Sequence, residues 1–239
     1  WKEVFSRAWR TPLLIGLGLA IFQQVTGINA IIYYADKIFA AAGFTSTYDQ
    51  TAATTWAVGA VNVLATLIAI AFIDRLGRRP LLLTGLIGMG LSLAVVGVCF
   101  FSLHEITPTS STATSASSGT STAGIFTLVA LVVYIASFAF SLGPVVWTMI
   151  NEIYPRRVRG RAVSVATAAN WGAAWLVSQF FLTLVDSITE AGTFLVFALM
   201  CAVCFLWIWR YVPETKGHTL EEIEAYWQKE AKADVPSAS

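Results

Sequence analysis

Six apolar runs, each about as long as a helix needs to cross a hydrocarbon core, constrain this chain more than any other feature. They cover residues 11–34, 54–73, 80–103, 124–150, 161–185 and 192–212. Barrel strands would be about half that length and would alternate in polarity; these runs do neither. Lipid offers no partner for open backbone, so a spanning segment must close its hydrogen bonds within itself. The expected fold is an all-α membrane protein with six spanning helices. Composition agrees: 56% of residues are hydrophobic and 12% charged, against about 25% charged in a typical soluble domain. A net charge of +1 gives no reason to expect a nucleic acid partner.

Lys and Arg set the orientation of such a bundle. One side receives Lys2, Arg7 and Arg10, then Arg75, Arg78 and Arg79. It also takes Arg156, Arg157, Arg159 and Arg161, and finally Arg210, Lys216, Lys229 and Lys232; the other side receives Lys37 alone. The split is fourteen against one. It places residues 1–10 as a cytoplasmic lead-in, 11–212 as the bundle and 213–239 as a cytoplasmic tail, in a cell membrane. The Ser/Thr-rich stretch 104–123 has no Lys or Arg and is expected to be a disordered outer loop. Within the tail, Glu221 to Glu230 reads as a short amphipathic helix, with Thr219 and Glu222 spaced as a capping box. The sequence opens on Trp1 rather than Met, and is expected to be a piece of a longer chain.

Polar residues inside spans are costly and usually face an interior or a water path. The first span carries Gln23, Gln24, Thr26, Asn29, Tyr33 and Tyr34. At about 100° per residue, Gln24 and Asn29 point about 140° apart on a regular helix, so a straight helix cannot aim both at one ligand. Gly27 lies between them and is expected to open the helix locally. The plainer alternative is that these amides join neighbouring helices as packing contacts. In the second span Thr55, Gly59, Asn62 and Thr66 fall within about 40° of arc on a regular helix, with Asn62 the costly member. In the fourth, Gly143-Pro144 is expected to bend the helix, beside Ser137, Ser141, Trp147, Thr148 and Asn151. The fifth carries Asn170, Trp171, Trp175, Ser178 and Gln179.

These spans present amides, hydroxyls and indoles with almost no full charge. Amides and hydroxyls both donate and accept, as sugar hydroxyls require, and aromatic faces suit the C–H face of a sugar ring. The favoured ligand class is therefore a neutral polyhydroxylated solute. Cys201 and Cys204 form a CxxC, yet they sit in an apolar run with no His nearby, and read as small hydrophobes. No nucleophile–base pair or metal cluster points to an enzyme.

Five blocks resemble the sugar porter family of the major facilitator superfamily: QQVTGINAIIYY (Gln23 to Tyr34), DRLGRRP (Asp74 to Pro80), GPVVWTMINEIYPRRVRG (Gly143 to Gly160), NW (Asn170, Trp171) and PETKG (Pro213 to Gly217). The resemblance implies a six-helix half of that fold, itself a 3+3 inverted repeat, corresponding to helices seven to twelve. It implies that Gln23, Gln24, Asn29, Asn62 and Asn170 hydrogen-bond a monosaccharide, with Trp147, Gly143 and Trp171 around it. Tyr33 and Tyr34 would close the outer side, and Pro144 would loosen its helix. Asp74, Arg75, Arg78, Glu152 and Arg159 would form inter-helix salt bridges that gate the inner side.

The implied partners are the sugar, the bilayer and an N-terminal six-helix half. The implied cofactor list is empty apart from a proton as coupling ion, carried by an acid in that other half. Ala139-Phe140-Ser141-Leu142 is closer to bacterial proton symporters than to facilitative animal members, which tend to carry an acid and an extra proline there. Asn170 stands where the bacterial xylose symporter has Gln, so the pocket is not read as xylose-specific. A facilitative uniporter is the alternative. A non-transporting sensor fits less well, because only 27 residues follow Val212.

Overall fold

The computed structural model describes residues 4–6, 9–41, 46, 48, 51–52, 54–106 and 122–233. Most of the loop expected to be disordered, and parts of the lead-in and tail, lie outside them. Every regular element among the described residues is a helix. In chain order these are α1 (Arg10–Val25), α2 (Ile28–Tyr33), α3 (Ala35–Ala41), a π-helical segment (Thr54–Ala60) and α4 (Val61–Leu76). They continue with α5 (Arg78–Ile106), α6 (Thr122–Phe140), α7 (Leu142–Ile153), α8 (Arg159–Tyr211) and α9 (Leu220–Ala233).

α8 runs for 53 residues, which at 1.5 Å each is roughly 80 Å, more than twice a hydrocarbon core. It is two passes. Ile188 (φ −128°, ψ 15°) and Thr189 (φ 67°, ψ 167°) leave helical geometry and divide it. Thr189 Oγ1 then accepts the backbone N–H of Gly192 at 3.4 Å, capping the second half.

Packing follows from where the apolar surface lies. α5 packs on α8 and α6, α1 packs on α8, and α4 leans mainly on α6. Tyr134, Met149, Phe194 and Leu86 are fully buried between them. Other apolar side chains point outward: Val63, Leu64, Leu67 and Ile68 on α4, and Leu91, Val95 and Val98 on α5. Water would not tolerate a surface this apolar and this contiguous, whereas lipid does. Cys201 and Cys204 are free, buried thiols in this packing.

Two breaks in the spans shape the polar interior of the bundle. Gly27 adopts φ +97°, a left-handed conformation that costs little only for glycine, and it separates α1 from α2. A Cβ there would also lie 2.9 Å from the Phe197 ring. The break frees backbone groups, and they are satisfied: Tyr134 OH, from α6, donates to the Thr26 carbonyl at 3.0 Å. The second break comes at Ser141 (φ −126°, ψ −90°), between α6 and α7. Pro144 has no N–H, so the helix loses a bond one turn upstream; the bend therefore falls at Ser141 rather than at the Gly143-Pro144 pair itself.

The π-helical turn over Thr54–Ala60 corrects one reading of the sequence. Its wider i→i+5 spacing breaks the 100° projection that lined up Thr55, Gly59, Asn62 and Thr66. Thr55 and Gly59 are exposed, while Asn62 and Thr66 are half-buried, with Thr66 Oγ1 donating to the Asn62 carbonyl at 2.8 Å.

Candidate binding site

The two breaks bring five of the expected site residues into one hydrogen-bonded array. Gln23 and Gln24 sit at the end of α1, both buried. Gln23 Nε2 donates to the carbonyls of Leu142 at 2.8 Å and Gly143 at 3.3 Å, in the loosened turn that opens α7. Asn170, on α8, is buried and donates from Nδ2 to Gln23 Oε1 at 2.8 Å and to the Ala20 carbonyl at 2.9 Å. Its Oδ1 accepts from Gln24 Nε2 at 3.2 Å. Beyond the Gly27 break, Asn29 Nδ2 donates to Gln24 Oε1 at 2.7 Å. A continuous amide chain thus runs Asn29, Gln24, Asn170, Gln23, α7 backbone. The broken helix removes the 140° divergence that a straight one would impose between Gln24 and Asn29.

The remaining candidates stand apart from this array. Asn62 and Trp147 are half-buried and make no hydrogen bond to the amide chain. Trp171 is 62% exposed and Tyr33 60% exposed, both on the outside of this bundle. Tyr34 is half-buried, donates to the Ser178 carbonyl at 3.4 Å and stacks on Phe181 with ring centroids 4.9 Å apart. Most hydroxyls and amides of the α6–α7 stripe are turned back on their own helix. Ser141 Oγ donates to the Ser137 carbonyl, Thr148 Oγ1 to Pro144 and Asn151 Nδ2 to Trp147.

A second polar centre lies at the charged end of the bundle. Arg78 Nη2 meets Glu152 Oε1 at 2.8 Å and Arg78 Nη1 meets Asp74 Oδ1 at 3.0 Å. Arg78 Nε also donates to both Glu152 oxygens at 3.2 Å, so the pair is held by several charge-assisted bonds. Two expected members behave otherwise. Arg159 meets no carboxylate among the described residues; its Nε and Nη2 both donate to the Tyr154 carbonyl, at 3.1 and 3.0 Å. The Arg75 side chain is exposed and unpaired among the described residues; its backbone carbonyl accepts from Lys216 Nζ at 2.6 Å. The salt bridges expected of Arg75 and Arg159 are therefore not found among the described residues: a helix-end carbonyl takes the Arg159 guanidinium, and the Arg75 side chain points into the open.

Two residues outside the expected set complete the centre. Thr215 Oγ1 donates to Glu152 Oε2 at 2.6 Å. Glu214 accepts the backbone N–H groups of Arg78 at 3.1 Å and Arg79 at 3.0 Å. Those are orphan donors at the start of α5, where a carboxylate is stabilised. Pro80, in the same first turn, has no N–H to satisfy. Both residues lie in PETKG, the motif that signalled them. Nearby, Thr219 N donates to Glu222 Oε2 at 2.8 Å and Glu222 N to Thr219 Oγ1 at 3.2 Å, the reciprocal pair of a capping box.

The profile of the family described as "Sugar (and other) transporter" matches residues 1–227. The chain belongs to that family. It is 38% identical over 230 residues to the arabinose-proton symporter of Bacillus subtilis (strain 168), a match covering 95% of this chain and 45% of that protein. It is 38% identical over 225 residues to the facilitated trehalose transporter Tret1 of Bombyx mori, covering 94% of this chain and 42% of that one. Among solved structures, a major facilitator superfamily proton:xylose symporter bound to 6-bromo-6-deoxy-D-glucose superposes with a TM-score of 0.75 at 36% identity, covering 90% of this chain and 42% of that one. The chain thus spans less than half the length of these relatives, which are transporters. The sugar transporter fold assigns the six passes to one half of the major facilitator architecture.

Proposed function

We propose that this chain supplies the C-terminal half of a monosaccharide site in an alternating-access transporter. The substrate is a hexose or pentose, moved in symport with a proton. The observation that carries the reading is the uncharged amide chain of Gln23, Gln24, Asn29 and Asn170. Each amide offers a donor and an acceptor, so sugar hydroxyls can replace amide partners without leaving a buried group unpaired. Asn62, Gly143 and Trp147 complete the half-site. The exposed Trp171 and Tyr33 face outward, where the N-terminal six-helix half would cover them, and Tyr34 closes the outer side. The Arg78–Glu152–Asp74 centre, with Thr215 and Glu214, latches the inner side, Pro144 supplying the weak point of its helix. Both termini lie in the cytoplasm, in the cell membrane, on the fourteen-to-one split of basic residues.

No cofactor is needed; the coupling proton is carried by an acid in the other half. The assay is uptake of labelled sugar by the longer protein in liposomes holding a pH dye. Symport gives sugar entry with lumenal acidification. Uniport is the second reading, favoured by the identity to a facilitated trehalose transporter; it gives the same entry with no pH change. Failure of the Gln24→Ala and Asn170→Ala variants to weaken sugar affinity would overturn the site.

A further inference from the structure

A groove of about 490 Å³ lies at the charged end of the bundle, away from the amide chain. Its walls include Leu14 of α1, Arg79 of α5, Trp207 and Arg210 of α8, and Tyr226 and Trp227 of α9. Among the described residues, two arginines and no acidic residue line it. Neither arginine pairs with a carboxylate among the described residues. The Arg79 side chain makes one bond among the described residues, from Nη2 to the Trp209 carbonyl, and its Nε is buried with no partner among them. Trp227 is 3% exposed, and its indole N–H is likewise buried and unpartnered. Unpaired buried donors on a cation and on an indole, beside a cavity, are what an anion with several acceptor oxygens would satisfy.

The occupant must also match the apolar side of the groove. Leu14 is shared with an adjoining cleft along α1, lined by Arg10, Leu13 and Leu17. α1 begins at Arg10, so this strip runs from the charged end into the hydrocarbon region. Tyr and Trp at that level mark the membrane interface, and basic residues there attract anionic lipid. An amphiphile fits both parts; a free anion fits only the first. We propose that this groove holds the phosphate of an anionic glycerophospholipid between Arg79 and Arg210, with its acyl chains lying along α1. The inference rests on membrane embedding alone and stands or falls separately from the sugar reading.

The test is native mass spectrometry of the purified 239-residue chain released from detergent after titration with phosphatidylglycerol, or with phosphatidylcholine of the same acyl chains. Phosphatidylglycerol should be retained in preference. Arg210→Gln, at an exposed position, should cut that retention by about five-fold, the worth of one basic residue near an anionic surface. Arg79→Gln should do the same, with far-UV circular dichroism confirming helix content in both variants. Equal retention of the two lipids, or retention unchanged in Arg210→Gln, would overturn the proposal. So would millimolar inorganic phosphate that displaces the lipid completely, which would make the groove a free-anion site.

Discussion

Asn170 Nδ2 donates to Gln23 Oε1 at 2.8 Å, joining α8 to α1 across 147 positions of sequence. The same side chain accepts from Gln24 at its Oδ1, so one residue holds two neighbouring glutamines that a helix points about 100° apart. Asn170→Ala strips a partner from both. The loss should be about 1–3 kcal/mol of unfolding free energy, because buried amides are left unpaired. Gln179→Ala, at an exposed position on the same helix, should stay within about 0.5 kcal/mol. Denaturant unfolding of the detergent-solubilised chain reads both.

The break at Gly27 makes a sharper demand on the backbone. Gly27→Ala places a Cβ at φ +97° and against the Phe197 ring, and strain of this kind costs about 1–3 kcal/mol. Gly172 lies inside α8, where a Cβ would meet nothing within 4 Å. Gly172→Ala should therefore leave stability unchanged or raise it slightly. Equal thermal shifts in the two variants would remove the strained break from the account.

Much of this was legible in the residues. Gly27 between two divergent amides marks the break, and the QQ, GIN and NW motifs contain four members of the amide chain. Other features left no trace. A π-turn at Thr54–Ala60 keeps the same apolar composition as an α-turn, and a span that is apolar on several faces does not reveal a slipped period. Arg159 and Arg78 are both arginines at span ends, near carboxylates in sequence. Only geometry decides that one takes a backbone carbonyl and the other Glu152.

The ion pairs at the charged end differ in worth, and a double-mutant cycle separates them. Arg78 and Glu152 are largely shielded, 2.8 Å apart and doubly hydrogen-bonded; their coupling should be about 1–3 kcal/mol. Arg156 and Glu221 are 3.6 Å apart and both mostly exposed. Their coupling should fall below about 0.5 kcal/mol. Thermal unfolding of the four-variant sets in detergent measures each.

The tail helix carries its own acid dependence. The Thr219 backbone N–H chiefly, with smaller help from the Thr219 and His218 side chains, holds the Glu222 carboxyl below its usual value of 4.5. A depressed folded pKa means the cap contributes fully above the ordinary value and is lost as pH falls through the depressed one. Trp227 fluorescence, read against a Trp227→Phe reference from about pH 7 to about pH 3, should show undocking of α9 on the acid side. Glu222→Gln should flatten that acid-side change; superimposable profiles would remove the cap from the account.

Uptake of labelled monosaccharides into liposomes tests the central claim most directly, comparing the purified 239-residue chain with the same chain joined to the proposed N-terminal six-helix half. On the proposed half-site, the extended protein should transport and the 239-residue chain should not, because the amide chain would then form only one wall. Robust, saturable uptake by the 239-residue chain alone would contradict the half-site and, with it, the assignment of these six passes to half of a transporter.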